Sequence, residues 1–163
     1  MKVKVKKLNP NAELPKYAHY GEDMGADITA ISVEYQADRD RFVYHTGLSF
    51  EVPKGFGMLI FPRSSNTKTE SYLPNSIGVL DAGYRGELMF IYKLRDSLKP
   101  IINGIDEEHR NEFIINNYAP YQVGDRIGQV IIIPYPIIDY IEAEELSETV
   151  RGTGGFGSTN LKK

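Results

Sequence analysis

RFVYHTGLSFEVPKGFGMLIF, residues 41–61, holds two runs rich in Val, Phe, Tyr, Leu and Ile, separated by the turn Pro53-Lys54-Gly55. Short apolar runs of this composition, bounded by turn residues, read as strands. The same texture continues outward on both sides, in KVKV (2–5), ITAISVEY (28–35), ELMFIYKL (87–94), FIINNYA (113–119) and QVIIIPYPIIDYIEA (129–143). NPNAELP, PNS, DAG and VGD supply the turns between them. Many short strands at this spacing predict an all-β, jelly-roll-like sandwich or barrel with at most short helices. Two helical candidates remain, SSNTKTES (64–71) and IDEEHRNEF (105–113), the second with Asp106 as a candidate N-cap. It sits in a connection, residues 95–120, longer than most loops.

A chain of 163 residues and 18.4 kDa is expected to form one domain. Folding it compactly leaves about 8,200 Å² of surface from about 27,000 Å² extended, enough for a core without staples. Net charge is −3, which gives no bulk attraction to nucleic acid or membrane. Lys2, Lys4 and Lys6 alternate with Val3 and Val5, the solvated face of a strand. With no cysteine, disulfides, Cys-ligated zinc and thiol nucleophiles are all excluded. No apolar run of signal or membrane-spanning length follows the first lysines, so the expectation is a cytoplasmic protein. The β domain is expected to occupy residues 1–150. Residues 151–163, with four glycines and Phe156, form a flexible arm.

Four polar islands interrupt the strands. Gly25-Ala26-Asp27 opens one; alone, Asp27 reads most simply as an Asx-turn residue. Pro62-Arg63-Ser64-Ser65 puts an arginine and two hydroxyls at a strand end before a helix start, a group able to bind phosphate and equally able to cap a helix. Asn75 precedes GVLDAGYRGEL (78–88), where three glycines frame Asp81 and Tyr84 in an otherwise apolar pattern. Such glycines mark a sharp bend or a close approach of backbone to ligand. GDRIGQ (124–129) precedes VIIIP. Together with the arm, these islands supply Arg63, Ser64, Gln129, Arg151, Ser158 and Thr159 as donors, Asp27 and Asp81 as carboxylates, and Tyr84 and Phe156 as flat faces. No P-loop or G-x-G-x-x-G pattern is present.

In order and spelling the islands resemble the five motifs of the trimeric dUTPase family: MGADITA, PRSS, NSIGVLDAGYRGEL, GDRIGQVIIIP and RGTGGFGST, with ELPKYA upstream. The resemblance implies a jelly-roll homotrimer with shared active sites that hydrolyses dUTP to dUMP and pyrophosphate with Mg2+. Asp81 then activates the attacking water. Tyr84 lies under the deoxyribose, and the backbone around Gly78, as a β-hairpin, pairs with uracil beside Asn75. Arg63, Ser64, Ser65 and Gln129 contact phosphates, and Asp27 supports the metal-bound triphosphate through water. Phe156 stacks on uracil while Arg151, Gly157, Ser158 and Thr159 close over the phosphates, so the arm is expected to be mobile until the triphosphate orders it. The related dCTP deaminases share the fold and a PRSS-like motif but use a glutamate base and lack such an arm. Gly128 stands where the family usually has alanine, which reads as the loss of one methyl, and Asn160 replaces a glycine. The 95–120 connection exceeds the family core and is a candidate surface for a protein partner.

Overall fold

A computed structural model describes residues 1–155 of the chain. Phe156, Gly157, Ser158, Thr159 and Asn160, with the closing contacts expected of them, lie outside the described residues. The opening stretch resolves into β4 (Arg41–His45), β5 (Leu48–Glu51) and β6 (Phe56–Phe61). Gly47 makes the first break: its φ is +64°, and a Cβ there would lie 2.7 Å from Ile31 Cδ1. Only glycine meets both conditions cheaply.

The other strands are β1 (Lys4–Lys7), β2 (Ala26–Thr29), β3 (Ser32–Gln36), β7 (Ser71–Tyr72), β8 (Gly78–Leu80), β9 (Met89–Leu94) and β10 (Arg126–Pro134). They form two four-stranded sheets, β2-β10-β6-β8 and β3-β4-β9-β7, and the pair β1-β5, all antiparallel. Ile28, Met58, Leu80, Ile127 and Val130 from the first sheet meet Phe42, Tyr44, Phe90 and Tyr92 from the second in one core. This is the β-rich, jelly-roll-like architecture the sequence predicts. β8 pairs with β6 and not with β9. The 78–88 segment is therefore a strand running into a loop between two sheets, and the expected hairpin ladder within it does not form.

A tyrosine cluster ties the core to the end that carries the polar islands. The rings of Tyr44, Tyr92 and Tyr121 lie 5.2–6.1 Å apart. Tyr44 Oη donates to the Tyr121 carbonyl at 2.9 Å and accepts the Tyr121 N–H at 3.0 Å. Tyr92 Oη donates to the Ile127 carbonyl at 2.6 Å, and Tyr121 Oη donates to Asn66 at 3.1 Å.

FIINNYA is helix, not strand. α1 (Lys99–Ile102) is a single turn, and α2 (Glu107–Tyr118) runs twelve residues from the predicted cap, Asp106, whose carboxylate accepts the His109 N–H at 3.1 Å. Arg110, Ile114 and Tyr118 recur every fourth residue on its covered side. The helical period is therefore present, but an arginine occupies one of its inward positions, and the local Ile-Ile pair reads as β. QVIIIPYPIIDYIEA is strand only to Pro134. Residues 135–155 hold no helix or strand, and Ile137, Tyr140, Ile141 and Leu146 are each at least 87% exposed. Pro134 and Pro136 remove two ladder donors there.

Gly128 is more than a missing methyl. A Cβ at this position would lie 2.0 Å from Cε1 of Phe90, which is itself 1% exposed. The ring uses the space that an alanine side chain would need. Gly128→Ala is expected to destabilise the fold by about 1–3 kcal/mol through overpacking, measured by denaturant unfolding.

Asp40, at φ +51°, clasps the long connection to the β3–β4 turn. It accepts from Tyr35 Oη and Ser97 Oγ at 2.5 Å each, and from the Leu98 N–H at 3.2 Å. Burial raises its pKa, but the hydrogen bonds from Ser97, Tyr35 and Leu98, with Lys93 nearby, outweigh that and hold it below the ordinary carboxylate value. A carboxyl depressed by folding stabilises above its unfolded pKa of about 3.9, and the contribution fades as pH falls through the lower folded value. Asp40→Asn should cost about 1–3 kcal/mol at neutral pH. In urea melts at successive pH values that difference should shrink only below about pH 4.

Candidate active site

Three of the four islands converge. Asp27 lies inside β2, directly opposite Gln129 on β10, so the Asx-turn reading gives way to a strand residue with its carboxylate beside the sheet. Pro62 to Ser65 leave β6 and enter the 3₁₀ turn Ser64–Lys68. Asp27, Arg63, Ser64 and Gln129 then line one cavity of about 380 Å³, with Gly25, His19 and Asp23 on its rim.

Asp27 is only 11% exposed in its side chain, and both of its oxygens are engaged. Arg63 Nε donates to Oδ1 at 2.7 Å and Arg126 Nη1 to Oδ2 at 3.1 Å. A carboxylate this enclosed requires paired cations. Gln129 Nε2 donates to the Pro62 carbonyl at 3.0 Å, tying β10 to the arginine loop. Gly25 makes room for it: a Cβ there would lie 2.4 Å from Gln129 Oε1. That explains the glycine of MGAD as a recess for a side chain.

Ser65 does not join this cavity. It lines a neighbouring cleft of about 300 Å³ with Arg63, Tyr121, Asp125 and Arg126, so Arg63 walls both. Sequence reasoning missed Arg126, His19 and Asp23. Arg126 was in plain view inside GDRIGQ, but its direction depends on a bulge that no local pattern announces.

Asp81 and Tyr84 lie elsewhere on the chain, in a cavity of about 210 Å³ shared with Ile60, Val79, Leu88 and Met89. Their loop is held firmly. Arg85 Nη1 donates to the Ala82 and Tyr84 carbonyls at 2.7 Å each, and Ser49 Oγ donates to the Arg85 carbonyl at 2.7 Å. Glu87 accepts the Gly47 N–H at 2.7 Å and faces His45 Nδ1 at 3.0 Å. Tyr84 folds back to donate from Oη to the Glu87 carbonyl at 3.1 Å, over Gly86, where a Cβ would lie 2.3 Å from that hydroxyl. Asn75 Nδ2 would lie 3.3 Å from a Cβ on Gly78, so these two predicted residues do meet. Arg151 lies apart from both cavities, its Nε donating to the Gly154 carbonyl at 2.8 Å.

Among the described residues, no group of three His, Cys, Asp or Glu side chains could hold a metal ion. Asp27, with Asp23 on the rim, leaves room only for a magnesium ion that takes most of its oxygens from its ligand. No helix among the described residues is long and apolar enough to cross a membrane.

An antiparallel sandwich with a cavity walled by Arg63 and Asp27 and a second, loop-built cavity defines a β-sandwich protein with two candidate ligand cavities. A family model described as dUTPase matches residues 11–99. A deoxyuridine 5'-triphosphate nucleotidohydrolase of Picosynechococcus is 36% identical over 98% of this chain and 99% of its own. The dUTPase of Staphylococcus bacteriophage 80alpha, solved with dUPNHPP, is 25% identical with a TM-score of 0.70, covering 96% of this chain and 97% of that one. A point mutant of the dUTPase from phage phi11 of S. aureus, described as coordinating a structural Mg(II) ion, is 25% identical with a TM-score of 0.65, covering 89% of this chain and 98% of that one. The chain belongs to the dUTPase family.

Gly25→Ala gives a direct check on the cavity. The clash falls on the far end of a flexible side chain, so folding stability should change by less than about 1 kcal/mol. Gln129 must nevertheless swing away from Pro62, and the KM for dUTP should rise about 3- to 10-fold with little change in kcat.

Proposed function

We propose that this chain hydrolyses dUTP to dUMP and pyrophosphate, keeping uracil out of DNA and supplying dUMP for dTMP synthesis in the cytoplasm. One observation carries the reading: islands far apart in sequence fold into a single cavity lined by Arg63, Ser64, Gln129 and Asp27. In that cavity Arg63 and Gln129 hold phosphate oxygens and Ser64 lies near the α–β bridging oxygen. Ser65 supports the same loop from the adjoining cleft.

Asp81 acts as general base. It takes a proton from water, whose oxygen attacks the α-phosphorus in line, the bond to the bridging oxygen breaks, and pyrophosphate leaves. Such positioned bases contribute about 10²–10⁴ in rate. Backbone at Gly78, with Asn75, reads uracil, and the Tyr84 ring excludes a 2′-hydroxyl. Asp27 would support Mg2+ through water, and the ion, when bound, would supply charge neutralisation for the departing pyrophosphate. Residues 151–163 form the arm that closes the site. Within it Arg151, Ser158 and Thr159 engage phosphates, Gly157 lets backbone approach, and Phe156 stacks on uracil.

The working form is a homotrimer with shared sites. On one chain Asp81 and Arg63 line separate cavities, which supports sites completed by a second copy. One chain exposes 11902 Å², against about 8,200 Å² for a compact chain of this mass. The apolar residues of 135–150 account for part of the excess. The 95–120 connection, with Ile101 and Phe113 about two-fifths exposed, offers a surface to a protein partner. Ile101→Ser with Phe113→Ser, which leaves the buried Leu98, Ile102 and Ile114 in place, should spare hydrolysis.

Pyrophosphate release with Mg2+ and dUTP, run beside UTP, dTTP and dCTP, tests the central reading. Release is expected from dUTP alone, and Asp81→Asn should lower it about 10²- to 10⁴-fold. Equal turnover of UTP, or full activity in the variant, would contradict it.

A further inference from the structure

We propose that Arg126 is a positioning residue for the triphosphate: it occupies one oxygen of Asp27, so that Arg63 is held by the other and keeps its outer guanidinium nitrogens for the ligand. The inference rests on reading the Arg63 cavity as the triphosphate site.

A bulge in β10 is what aims Arg126. Along the β2–β10 ladder Asp27 faces Gln129 and Ile28 faces Gly128, but Thr29 faces Arg126. Ile127 is skipped, with no partner in either ladder of β10. Directly opposed residues share a face of the sheet, and a slip of one residue exchanges the faces. In a regular ladder Thr29 would face Ile127, and Arg126 would turn to the core side. The extra residue instead sends Ile127 into the core at 0% exposure and brings Arg126 to the face of Asp27 and Gln129.

The resulting contacts divide the carboxylate. Arg63 takes Oδ1 through Nε, and Arg126 takes Oδ2 through Nη1. Among the described residues this is the only side-chain hydrogen bond that Arg63 makes. Arg126 lines the neighbouring cleft and not the cavity of Ser64 and Gln129, so it acts through Asp27. The cluster of one carboxylate and two guanidinium groups carries a net charge of +1. Without Arg126 the charge falls to zero. The freed Oδ2 can then draw in a second Arg63 donor and close a two-pronged pair that competes with phosphate.

The test is a rescue by charge. Affinities for α,β-imido-dUTP and for dUMP are measured by calorimetry with Mg2+ and in EDTA for native chain, Arg126→Gln, Arg126→Lys and the double variant Asp27→Asn/Arg126→Gln, with thermal melts alongside. The rescue is read in EDTA, where the Asp27 role toward the metal does not enter. Arg126→Gln should weaken the imido analogue about 10- to 100-fold and dUMP less than about 3-fold. Arg126→Lys, which keeps the charge, should stay within about 5-fold of native. The double variant, which restores +1 and frees Arg63, should recover most of the lost affinity. A direct phosphate contact by Arg126 would not be recovered by Asp27→Asn, and a purely structural role would make the double variant worse. Either result overturns the proposal, as does native-like binding by Arg126→Gln. A native chain that binds no analogue would overturn the functional reading and this inference together.

Discussion

The hydrogen bond from the Tyr92 hydroxyl to the Ile127 carbonyl, 2.6 Å long and fully buried, is the contact on which the functional end of the molecule depends. Ile127 is the residue that the β10 bulge leaves without a ladder partner. A buried carbonyl in that position must find a donor elsewhere or cost the fold its desolvation. Tyr92 supplies the donor from the facing sheet. The irregularity thereby becomes a fixed feature of the fold, and the directions of Arg126, Gly128 and Gln129 follow from it.

The same core fixes the second wall. Tyr121 packs between Tyr44 and Tyr92 and reaches Asn66 in the 3₁₀ turn that follows Arg63 and Ser64. Gln129 then reaches across to the Pro62 carbonyl. The arginine loop, though a loop, is thus tied to β10 at one end and to the tyrosine cluster at the other. The donors around Arg63 are thereby held in place without a glycine-rich loop.

Much of this was legible in the sequence. Strand texture and turn residues marked nearly all the strands. The polar islands marked Asp27, Arg63, Ser64 and Gln129 because polar residues at strand ends stand out against an apolar pattern. What stayed hidden was set by contacts between distant residues. FIINNYA is locally β in composition, and only Asp106 capping and the burial of Ile114 against the sandwich make it helix. Ser65 parts from Ser64 because the 3₁₀ turn sends adjacent residues to opposite sides of Arg63. Arg126 needed the bulge, whose unpaired Ile127 carbonyl is satisfied by a tyrosine thirty-five residues earlier in the chain.

Glycines link the two cavities in design. Gly25 yields to Gln129, Gly86 to Tyr84 and Gly128 to Phe90, each through a contact shorter than any side chain could accept. Two of these side chains line the two cavities, and the third backs the strand that carries Gln129. A glycine inside a strand, as Gly128 is in β10, costs about 0.5–1 kcal/mol relative to alanine. Here each such position lets a larger neighbour take a fixed place. The chain therefore gives up a side chain beside each cavity, where a larger polar or aromatic group takes the space. It does the same once in the core, where Phe90 must support the bulged strand.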